Sequence, residues 1–276
     1  MEYSICSWTF GNAAIDKVMR FVKKTGYDAI EIQASQAIQY SKLITRLSKE
    51  LDLKVSGLTG DADWPNEHKD LANRNHLERN KAIEYFKKQI QATSLIQGKY
   101  LVVCPSAVGK SAQMGQGSED WNWAIDSVCQ LSKMADQVGI ELIIEPLNRY
   151  ESCIVNTADD ARRFVKEINH PKVKTLIDTY HMNIEEVDMV SPVQKVIDIL
   201  SIVHVADSNR RSLGRGQIAF APFFTELQRL KFKGTIVVEC SAPGADPFLA
   251  EKDNMDWIYT YAEESLAFLK KSFEDN

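Results

Sequence analysis

The sequence lacks paired cysteine motifs. Its five cysteines are an odd number and no C-x-x-C spacing occurs among them, so neither a disulfide framework nor a cysteine-rich zinc site is indicated. Cys6, Cys104 and Cys240 lie in or at the ends of apolar runs, where a cysteine behaves as a small buried hydrophobic residue. Thiols that stay reduced are typical of a cytoplasmic protein.

Long apolar runs and clusters of basic residues are also missing. No stretch of 18 apolar residues occurs, so no transmembrane helix is expected. Glu2 leads directly into a strand, without the features of a secretory signal. The basic clusters are no longer than pairs such as Arg210-Arg211, the formal net charge is −5 and the pI is about 5.6. This balance disfavours nucleic acids and anionic membranes as partners.

No linker rich in proline, glycine and serine divides the chain. Its 276 residues, of which 44% are hydrophobic, suit one α/β barrel, whose usual length is about 250 residues. Two smaller domains would also fit the length, but we predict a single domain over residues 1–276. A glycine-rich turn after the first strand, which is typical of a doubly wound open sheet, is absent as well.

Strand-like and helix-like segments alternate along the whole chain. Eight strands, each followed by a helix, form the (β/α)8 pattern, so the predicted fold is a TIM barrel. The predicted strands are Tyr3–Ser7, Asp28–Gln33, Leu53–Leu58, Lys99–Cys104 and the runs ELIIE, VKTLID, SIVHV and TIVVE. The predicted helices are Ala13–Thr25, a segment that ends near Leu51, Leu71–Ile96, Trp121–Val138, Ala158–Ile168, Pro192–Leu200, Ala221–Leu230 and Met255–Phe273. Long loops follow the third and fourth strands, and we expect them to cover the carboxyl-terminal rim.

Acidic or histidine residues close the last four strands: Glu145, Asp178, His204 and Glu239. These strands do not alternate apolar with polar residues, which is typical of strands buried on both faces. In a closed parallel barrel all carboxyl ends lie on one rim, so we expect the four side chains to converge. Each has an ordinary interpretation when it is taken alone, since Asp178 could cap the next segment and His204 could be a hydrogen-bonded core residue.

Two glutamates, an aspartate and a histidine around one point form a nitrogen and oxygen ligand set for a divalent cation. Without a cation, three such carboxylates would repel one another or bind protons. The set suits Mn²⁺, Co²⁺ or Mg²⁺ better than structural zinc, which prefers thiolates. Four protein ligands leave two positions of a six-coordinate ion open for adjacent oxygens of an α-hydroxy ketone. The ion would then polarise the carbonyl and stabilise a metal-bound enediolate.

A carboxylate must take the proton that the substrate loses, and Glu145 and Glu239 are the candidates to face it from opposite sides. If one removes the proton and the other returns it, the carbon is inverted; a single base on one face gives an aldose–ketose shift. The alternative is a dehydratase that acts on a keto-inositol or keto-sugar, because the same enediolate could expel a β-hydroxyl group. A catalytically silent sugar-binding protein is a further alternative.

Other polar and aromatic residues follow the strand ends. We predict that Arg210 and His181 bind substrate oxygens and that Glu151 orients a partner, although surface ion pairs are the ordinary alternative. Trp8 and Phe10, after the first strand, could form an apolar wall for the substrate, or they could simply pack at the rim.

The segments IIEPLNRYE, LIDTYHMNIEE and VHVADSNRR resemble the xylose-isomerase-like TIM-barrel family of sugar epimerases and isomerases. Within that family they resemble the ketose 3-epimerases that act on D-tagatose and D-psicose. The resemblance covers most of residues 139–240, where three motifs occur in order with matching spacing. It implies a homodimer or homotetramer, and an Mn²⁺ or Co²⁺ ion. The implied roles are metal ligation by Glu145, Asp178, His204 and Glu239, proton exchange by Glu145 and Glu239, and substrate contact by Glu151, His181 and Arg210.

Two features depart from that pattern. Asp207 stands where these epimerases carry a glutamate, three residues after the metal histidine, and YSICSWTFG differs from their aromatic-rich first strand. Both lie near the expected substrate, so the identity of the sugar stays open while the metal chemistry does not change. A DNA-repair endonuclease on the same barrel would need more histidine ligands and a basic surface, which five histidines and a net charge of −5 disfavour.

Overall fold

The structure, a computed structural model, describes residues 1–63, 65–116, 118–242 and 255–274. Eight parallel strands form a closed barrel in sequence order, with β1 paired to β8. The predicted (β/α)8 barrel is therefore confirmed, whereas its extent as one domain over residues 1–276 stays a prediction. The strands are β1 Glu2–Cys6, β2 Ala29–Gln33, β3 Lys54–Thr59, β4 Tyr100–Val103, β5 Glu141–Ile144, β6 Val173–Asp178, β7 Leu200–Val205 and β8 Thr235–Val238.

Helices lie between the strands along the chain and after the last one. They are α1 Ile15–Thr25, α2 Ala34–Leu51, α3 His76–Leu95, α4 Glu119–Gln137, α5 Ala158–Ile168, α6 Thr179–Glu185, α7 Ser191–Val196, α8 Phe220–Arg229 and α9 Met255–Glu274. Within the described ranges, none of these helices has the length and the apolar character that crossing a membrane requires.

The start of α3 differs from the prediction. The helix begins at His76 rather than at Leu71, because the side chain of Asn75 accepts a 3.0 Å hydrogen bond from the backbone N–H of Leu77 and caps it there. Leu71 is nevertheless fully buried. Leu71 therefore continues the apolar periodicity of the helix upstream of the cap, although it does not belong to the helix.

The connection between β6 and β7 also differs from the prediction. The short helix α6 was not predicted, and it begins directly after β6 because the side chain of Asp178 accepts a 2.8 Å hydrogen bond from the backbone N–H of Tyr180. The predicted helix Pro192–Leu200 is too long, since α7 ends at Val196 and Leu200 already pairs with Thr175 in the sheet.

Apolar side chains fill the barrel interior below its carboxyl-terminal rim. They form a separate buried cluster of Tyr100, Val102, Ile143, Leu176 and Ile202. Three of these residues stand two positions before an acidic or histidine residue at the end of their strand. Because side chains two apart on a strand point to the same face, the residues at the strand ends also point into the barrel. The apolar layer is the packed floor of the site above it.

A buried lysine joins the two long loops that follow β3 and β4. The Nζ atom of Lys110 lies 2.9 Å from Asp70 and 3.1 Å from Asp120, and it donates to the backbone carbonyl of Ala72 at 3.2 Å. The backbone of Lys110 also forms a parallel bridge with Ser152 in the loop after β5. Burial opposes the charge on this lysine, but the two carboxylates raise the pKa of Lys110 above its ordinary value. The ammonium group therefore ties the loops together.

Candidate metal centre and active site

Four side chains from consecutive strands converge at the carboxyl-terminal rim of the barrel. The ligand atoms of Glu145, Asp178, His204 and Glu239 all lie within 4.8 Å of one another, and all four residues are buried. Asp178 is the last residue of β6, His204 lies in β7, and the two glutamates directly follow β5 and β8. The structure thus brings together the four residues that were predicted to converge from their positions at the strand ends.

The two ring nitrogens of His204 have different surroundings. Nδ1 lies 3.3 Å from Oε1 of Glu145 and 3.3 Å from Oε2 of Glu239, yet this buried atom makes no hydrogen bond. Nε2 lies 3.3 Å from Oε2 of Glu31. A buried nitrogen that faces two carboxylates without a hydrogen bond to either has the position expected of a metal ligand. This donor set fits a divalent cation.

The cluster has an uneven distribution of charge. Burial raises the pKa of Glu145 to about 7, with Glu239 and Asp178 adding to the effect. Burial would also raise the pKa of Glu239, but His204 and Arg210 hold it at about 2. His204 is buried too, yet the acids around it raise its pKa well above the ordinary value. The carboxylates therefore favour a positive species between them, either protons or a cation.

Arg210 lies against two of the candidate ligands. Its Nη1 atom is 3.1 Å from Asp178 and 3.4 Å from Glu239. Its guanidinium group lies over the ring of Tyr180, 4.4 Å from the centroid, and 5.5 Å from that of Trp8. Contacts with aromatic rings restrict the orientation of a guanidinium group. Arg210 therefore presents fixed N–H donors beside the cluster.

The backbone around Arg210 is held by Asp207. Arg210 has a φ of 59°, and its N–H donates to the carbonyl of Asp207 at 2.8 Å. The fully buried carboxylate of Asp207 accepts hydrogen bonds from the backbone N–H groups of Ser208, Gly214 and Ile218. Asp207 thus supports the loop that carries the arginine.

The predicted substrate residues after β5 and β6 form one connected group. Nδ1 of His181 accepts a 3.1 Å hydrogen bond from the backbone N–H of Asn148, and the Asn148 amide donates to Glu151 at 2.9 Å. Nε2 of His181 lies 3.4 Å from Nη2 of Arg210. Burial and the nearby guanidinium lower the pKa of His181 well below its ordinary value. His181 is therefore neutral. It is connected to Glu151 through Asn148 and lies next to Arg210.

The two aromatic residues predicted after β1 have different surroundings. Nε1 of Trp8 donates a 2.9 Å hydrogen bond to Oε1 of Glu239, so this indole belongs to the site. Phe10 is fully buried and packs against Phe21 and Tyr259, with ring centroids 5.8 and 6.0 Å away. The wall interpretation is therefore wrong for Phe10, whose ring packs against side chains of α1 and α9.

Sequence reasoning missed Glu31. This residue is fully buried in β2, where it accepts hydrogen bonds from the hydroxyl groups of Thr59 and Tyr100 and lies against His204. Its only signal in the sequence is an acidic residue between two isoleucines in the run AIEIQ. A charged residue is almost never fully buried without partners, so that position alone marks Glu31 as a residue with specific contacts.

The opposite end of the barrel has a different character. A cavity of about 770 Å³ opens there, and its lining includes Glu2, Lys99 and Glu141. The acids are paired with lysines, Glu2 with Lys99 at 3.7 Å and Glu141 with Lys174 at 3.0 Å. Exposed ion pairs of this kind are ordinary surface features. The unusual chemistry is at the carboxyl-terminal rim, where TIM-barrel active sites lie.

Comparison with known proteins gives the same family as the motifs. Residues 19–270 match the sequence model of the family described as xylose isomerase-like TIM barrel. The 3-dehydro-D-guloside 4-epimerase of Escherichia coli strain K12 is 31% identical over 251 residues, which cover 87% of this chain and 92% of that protein. The L-ribulose 3-epimerase of Methylomonas sp. strain DH-1 is 31% identical over 252 residues, which cover 89% and 85% of the two chains.

A solved structure agrees over the entire barrel. The D-allulose 3-epimerase from Methylomonas sp., solved in complex with D-allulose, superposes with a TM-score of 0.87 and is 27% identical, covering 99% of this chain and 97% of that one. These three relatives are sugar epimerases, which supports an enzymatic role. The predicted resemblance is confirmed: the chain belongs to the xylose isomerase-like TIM-barrel family.

Proposed function

We propose that this protein is a divalent-metal-dependent epimerase of a ketose or a related keto-sugar. The observation that carries the proposal is the buried cluster of Glu145, Asp178, His204 and Glu239, in a chain whose relatives are sugar epimerases. These four residues would hold the cation. The mixed carboxylate and imidazole donors favour Mn²⁺, with Co²⁺ and Mg²⁺ as alternatives.

Glu145 and Glu239 are the proposed catalytic residues. Each places a carboxylate oxygen 3.3 Å from Nδ1 of His204, so they flank the cluster from the ends of β5 and β8. A bound cation would polarise the carbonyl of the substrate and stabilise the negative charge that develops beside it. One glutamate removes the proton from the neighbouring carbon, and the other returns it from the opposite face.

Arg210, His181, Glu151 and Trp8 are the proposed substrate-binding residues. Arg210 is only 13% exposed at its side chain, and its donors lie beside the cluster, where they would bind a substrate oxygen. His181 is neutral and buried, and it is connected through Asn148 to Glu151. Trp8 supplies an apolar ring and holds Glu239 by its indole N–H.

The names of two relatives narrow the chemistry of the substrate. The Escherichia coli protein is named for inversion at C4 of a 3-dehydro sugar, and the Methylomonas protein for inversion at C3 of ribulose, a 2-ketose. In both, the inverted carbon is next to a carbonyl, so its proton is acidified in the same way. We therefore propose that this protein inverts a carbinol carbon adjacent to a carbonyl, in a free ketose or in a keto-glycoside.

The test is turnover of both sugar classes in D₂O by metal-free and Mn²⁺-loaded protein. The expected product is an epimer of unchanged composition that carries one solvent deuteron at the inverted carbon. Chelation should abolish activity, and Mn²⁺ or Co²⁺ should restore it. Full activity in a metal-free preparation contradicts the proposal. Loss of water from the product would instead identify a dehydratase, and an aldose product would identify a one-base isomerase.

We also propose that the protein works in the cytoplasm as a homodimer or homotetramer. All five cysteines are unpaired in the structure, three of them buried, as expected for thiols under reducing conditions. The assembly is inferred from the family resemblance. Light scattering on the purified full-length chain measures it, and a monomeric mass would contradict it.

A further inference from the structure

We propose that Glu31 is a positioning residue that aims His204 at the bound cation. The proposal rests on the metal site proposed above, to which it adds a residue from a fifth strand. Glu31 lies in the middle of β2 and is fully buried. It reaches His204, 173 residues away, across the interior of the barrel.

Glu31 is held in one orientation by hydroxyl groups from two further strands. Tyr100 in β4 donates a 2.7 Å hydrogen bond to Oε2 of Glu31, and Thr59 at the end of β3 donates to Oε1. The Tyr100 oxygen also lies 3.2 Å from the hydroxyl of Ser56. With one donor on each oxygen, the carboxylate cannot turn away from the histidine without losing buried hydrogen bonds.

The contact with Glu31 determines which nitrogen of His204 faces the cluster. When a cation is bound, an acceptor 3.3 Å from Nε2 would keep the ring hydrogen on that atom and leave the lone pair of Nδ1 for the metal. Nδ1 is the atom that faces Glu145 and Glu239 and makes no hydrogen bond. The Glu31 carboxylate therefore contacts the His204 imidazole on the side away from the candidate cation site, and Tyr100 and Thr59 hold that carboxylate in place.

A second metal site is the competing interpretation of Glu31. Ligand atoms of Cys6, Glu31 and Glu239 also lie within 4.8 Å of one another. However, both oxygens of Glu31 already accept hydrogen bonds from hydroxyl groups, and the Cys6 sulfur lies 3.1 Å from the Thr59 hydroxyl. The geometry of the carboxylate is that of a hydrogen-bond acceptor, and the number of bound ions distinguishes the two interpretations.

The first measurement is Mn²⁺ affinity. The chain is titrated with Mn²⁺, and the electron paramagnetic resonance signal of the free ion gives the unbound concentration. Loss of a residue that supports a metal ligand typically weakens binding by about 10- to 100-fold. We expect about tenfold for Glu31→Gln, which keeps an oxygen at this site, and about 100-fold for Glu31→Leu. Tyr100→Phe removes one anchor of Glu31 and should have a smaller effect. The control is Ser132→Ala, which removes a buried hydroxyl of α4 that donates to the backbone carbonyl of Cys129; this variant should bind Mn²⁺ as the wild type does.

The second measurement is nitrogen NMR of the histidine rings in Mg²⁺- or Zn²⁺-loaded protein. The wild type should show His204 with its hydrogen on Nε2 and its Nδ1 shifted by coordination. Glu31→Gln should populate the other ring orientation or tautomer. A general loss of core packing would broaden signals from many residues, whereas a positioning role changes the His204 signals and leaves His170, in the turn before β6, unaltered.

Two results would overturn the inference. In one, Glu31→Gln and Glu31→Leu bind Mn²⁺ as tightly as the wild type does. In the other, the wild type takes up two ions per chain and Glu31→Leu takes up one, so that Glu31 is itself a ligand. If Glu31→Leu does not fold, the Gln and Tyr100 variants still decide the question. A wild type that binds none of Mn²⁺, Co²⁺ and Mg²⁺ would remove the proposed function as well, which separates the two failures.

Discussion

The indole N–H of Trp8 holds the carboxylate of Glu239, 231 residues further along the chain, through a 2.9 Å hydrogen bond to Oε1. The other oxygen, Oε2, is the one that lies near His204 and Arg210. The bond therefore determines which oxygen of Glu239 faces the cluster. It exists because β1 and β8 are neighbours in the closed barrel.

Trp8→Phe keeps an apolar ring but removes this donor. A hydrogen bond to a charged group contributes about 1.5–3 kcal/mol, so kcat should fall by about tenfold or more. Steady-state kinetics on the Mn²⁺-loaded variant measure the effect. Trp257→Phe is the control, because that tryptophan is 45% exposed on α9 and packs against Tyr261. Equal kcat in both variants would show that the Trp8 bond does not orient Glu239.

Glu145→Gln and Glu239→Gln should each nearly abolish epimerisation. Glutamine keeps the size and one oxygen but cannot accept the proton, and such a step contributes roughly 10²–10⁴-fold. Glu141→Gln is the matched control, since Glu141 begins β5, which Glu145 directly follows, and pairs with Lys174 at the opposite end of the barrel. Its kcat should be that of the wild type.

Deuterium exchange separates the two glutamates. In a two-base mechanism each variant should still exchange solvent deuterium into the epimer that its remaining glutamate faces, without conversion to the other. Mass spectrometry of the recovered sugar measures this. A variant with normal epimerisation shows that its glutamate is only a ligand or a bystander.

Arg210→Ala should raise KM more than it lowers kcat if the guanidinium mainly binds a substrate oxygen. The comparison is Arg149→Ala, which removes an arginine from the neighbouring loop. Arg149 is 63% exposed at its side chain and pairs with Glu185, so its loss should leave both constants unchanged. A fall in kcat with unchanged KM would instead place Arg210 in the chemical step, beside Asp178 and Glu239.

Cation binding should weaken as the pH falls. In the protein without a cation, burial raises the pKa of Glu145 to about 7, and the surrounding acids keep a proton on His204 well above its ordinary pKa. A cation must displace these protons. Affinity for Mn²⁺ should therefore be higher above pH 7 and fall by about tenfold per pH unit for each proton displaced.

Calorimetry checks this dependence directly. Mn²⁺ titrations in two buffers of different ionisation enthalpy, at matched pH, give the number of protons released for each bound ion. His204→Ala removes one of the displaced protons and should weaken binding at every pH. A Kd that is the same from about pH 6 to about pH 9 would contradict the displacement of protons by the metal.

The barrel and its four convergent residues could be predicted because their signals are local. Runs such as TIVVE carry consecutive apolar residues and end in a charge, and in a parallel barrel this places Glu239 on the shared rim. Helix α5 matched its predicted bounds, Ala158–Ile168, because Thr157 and Asp160 form a capping box at its start.

The contacts of Glu31 could not be predicted in the same way. Its partner Tyr100 is 69 residues distant and His204 is 173 residues distant, and the sequence pattern of β2 does not show which strand faces it across the barrel. The role of Asp207 was also hidden, since its carboxylate bonds to backbone N–H groups, which every residue type carries. Contacts with distant side chains or with backbone groups produce no periodic pattern in the sequence from which they could be predicted.

The burial of Lys110 has a consequence for any chimera made between this chain and a relative. A transplanted β3 loop without an equivalent of Asp70 would remove one of the two carboxylates that pair with Lys110, and a transplanted β4 loop without the lysine would leave Asp70 without its cation. Removing one partner of a buried ion pair costs about 3–5 kcal/mol, a large share of the stability of an ordinary domain. A chimera should therefore exchange both loops together.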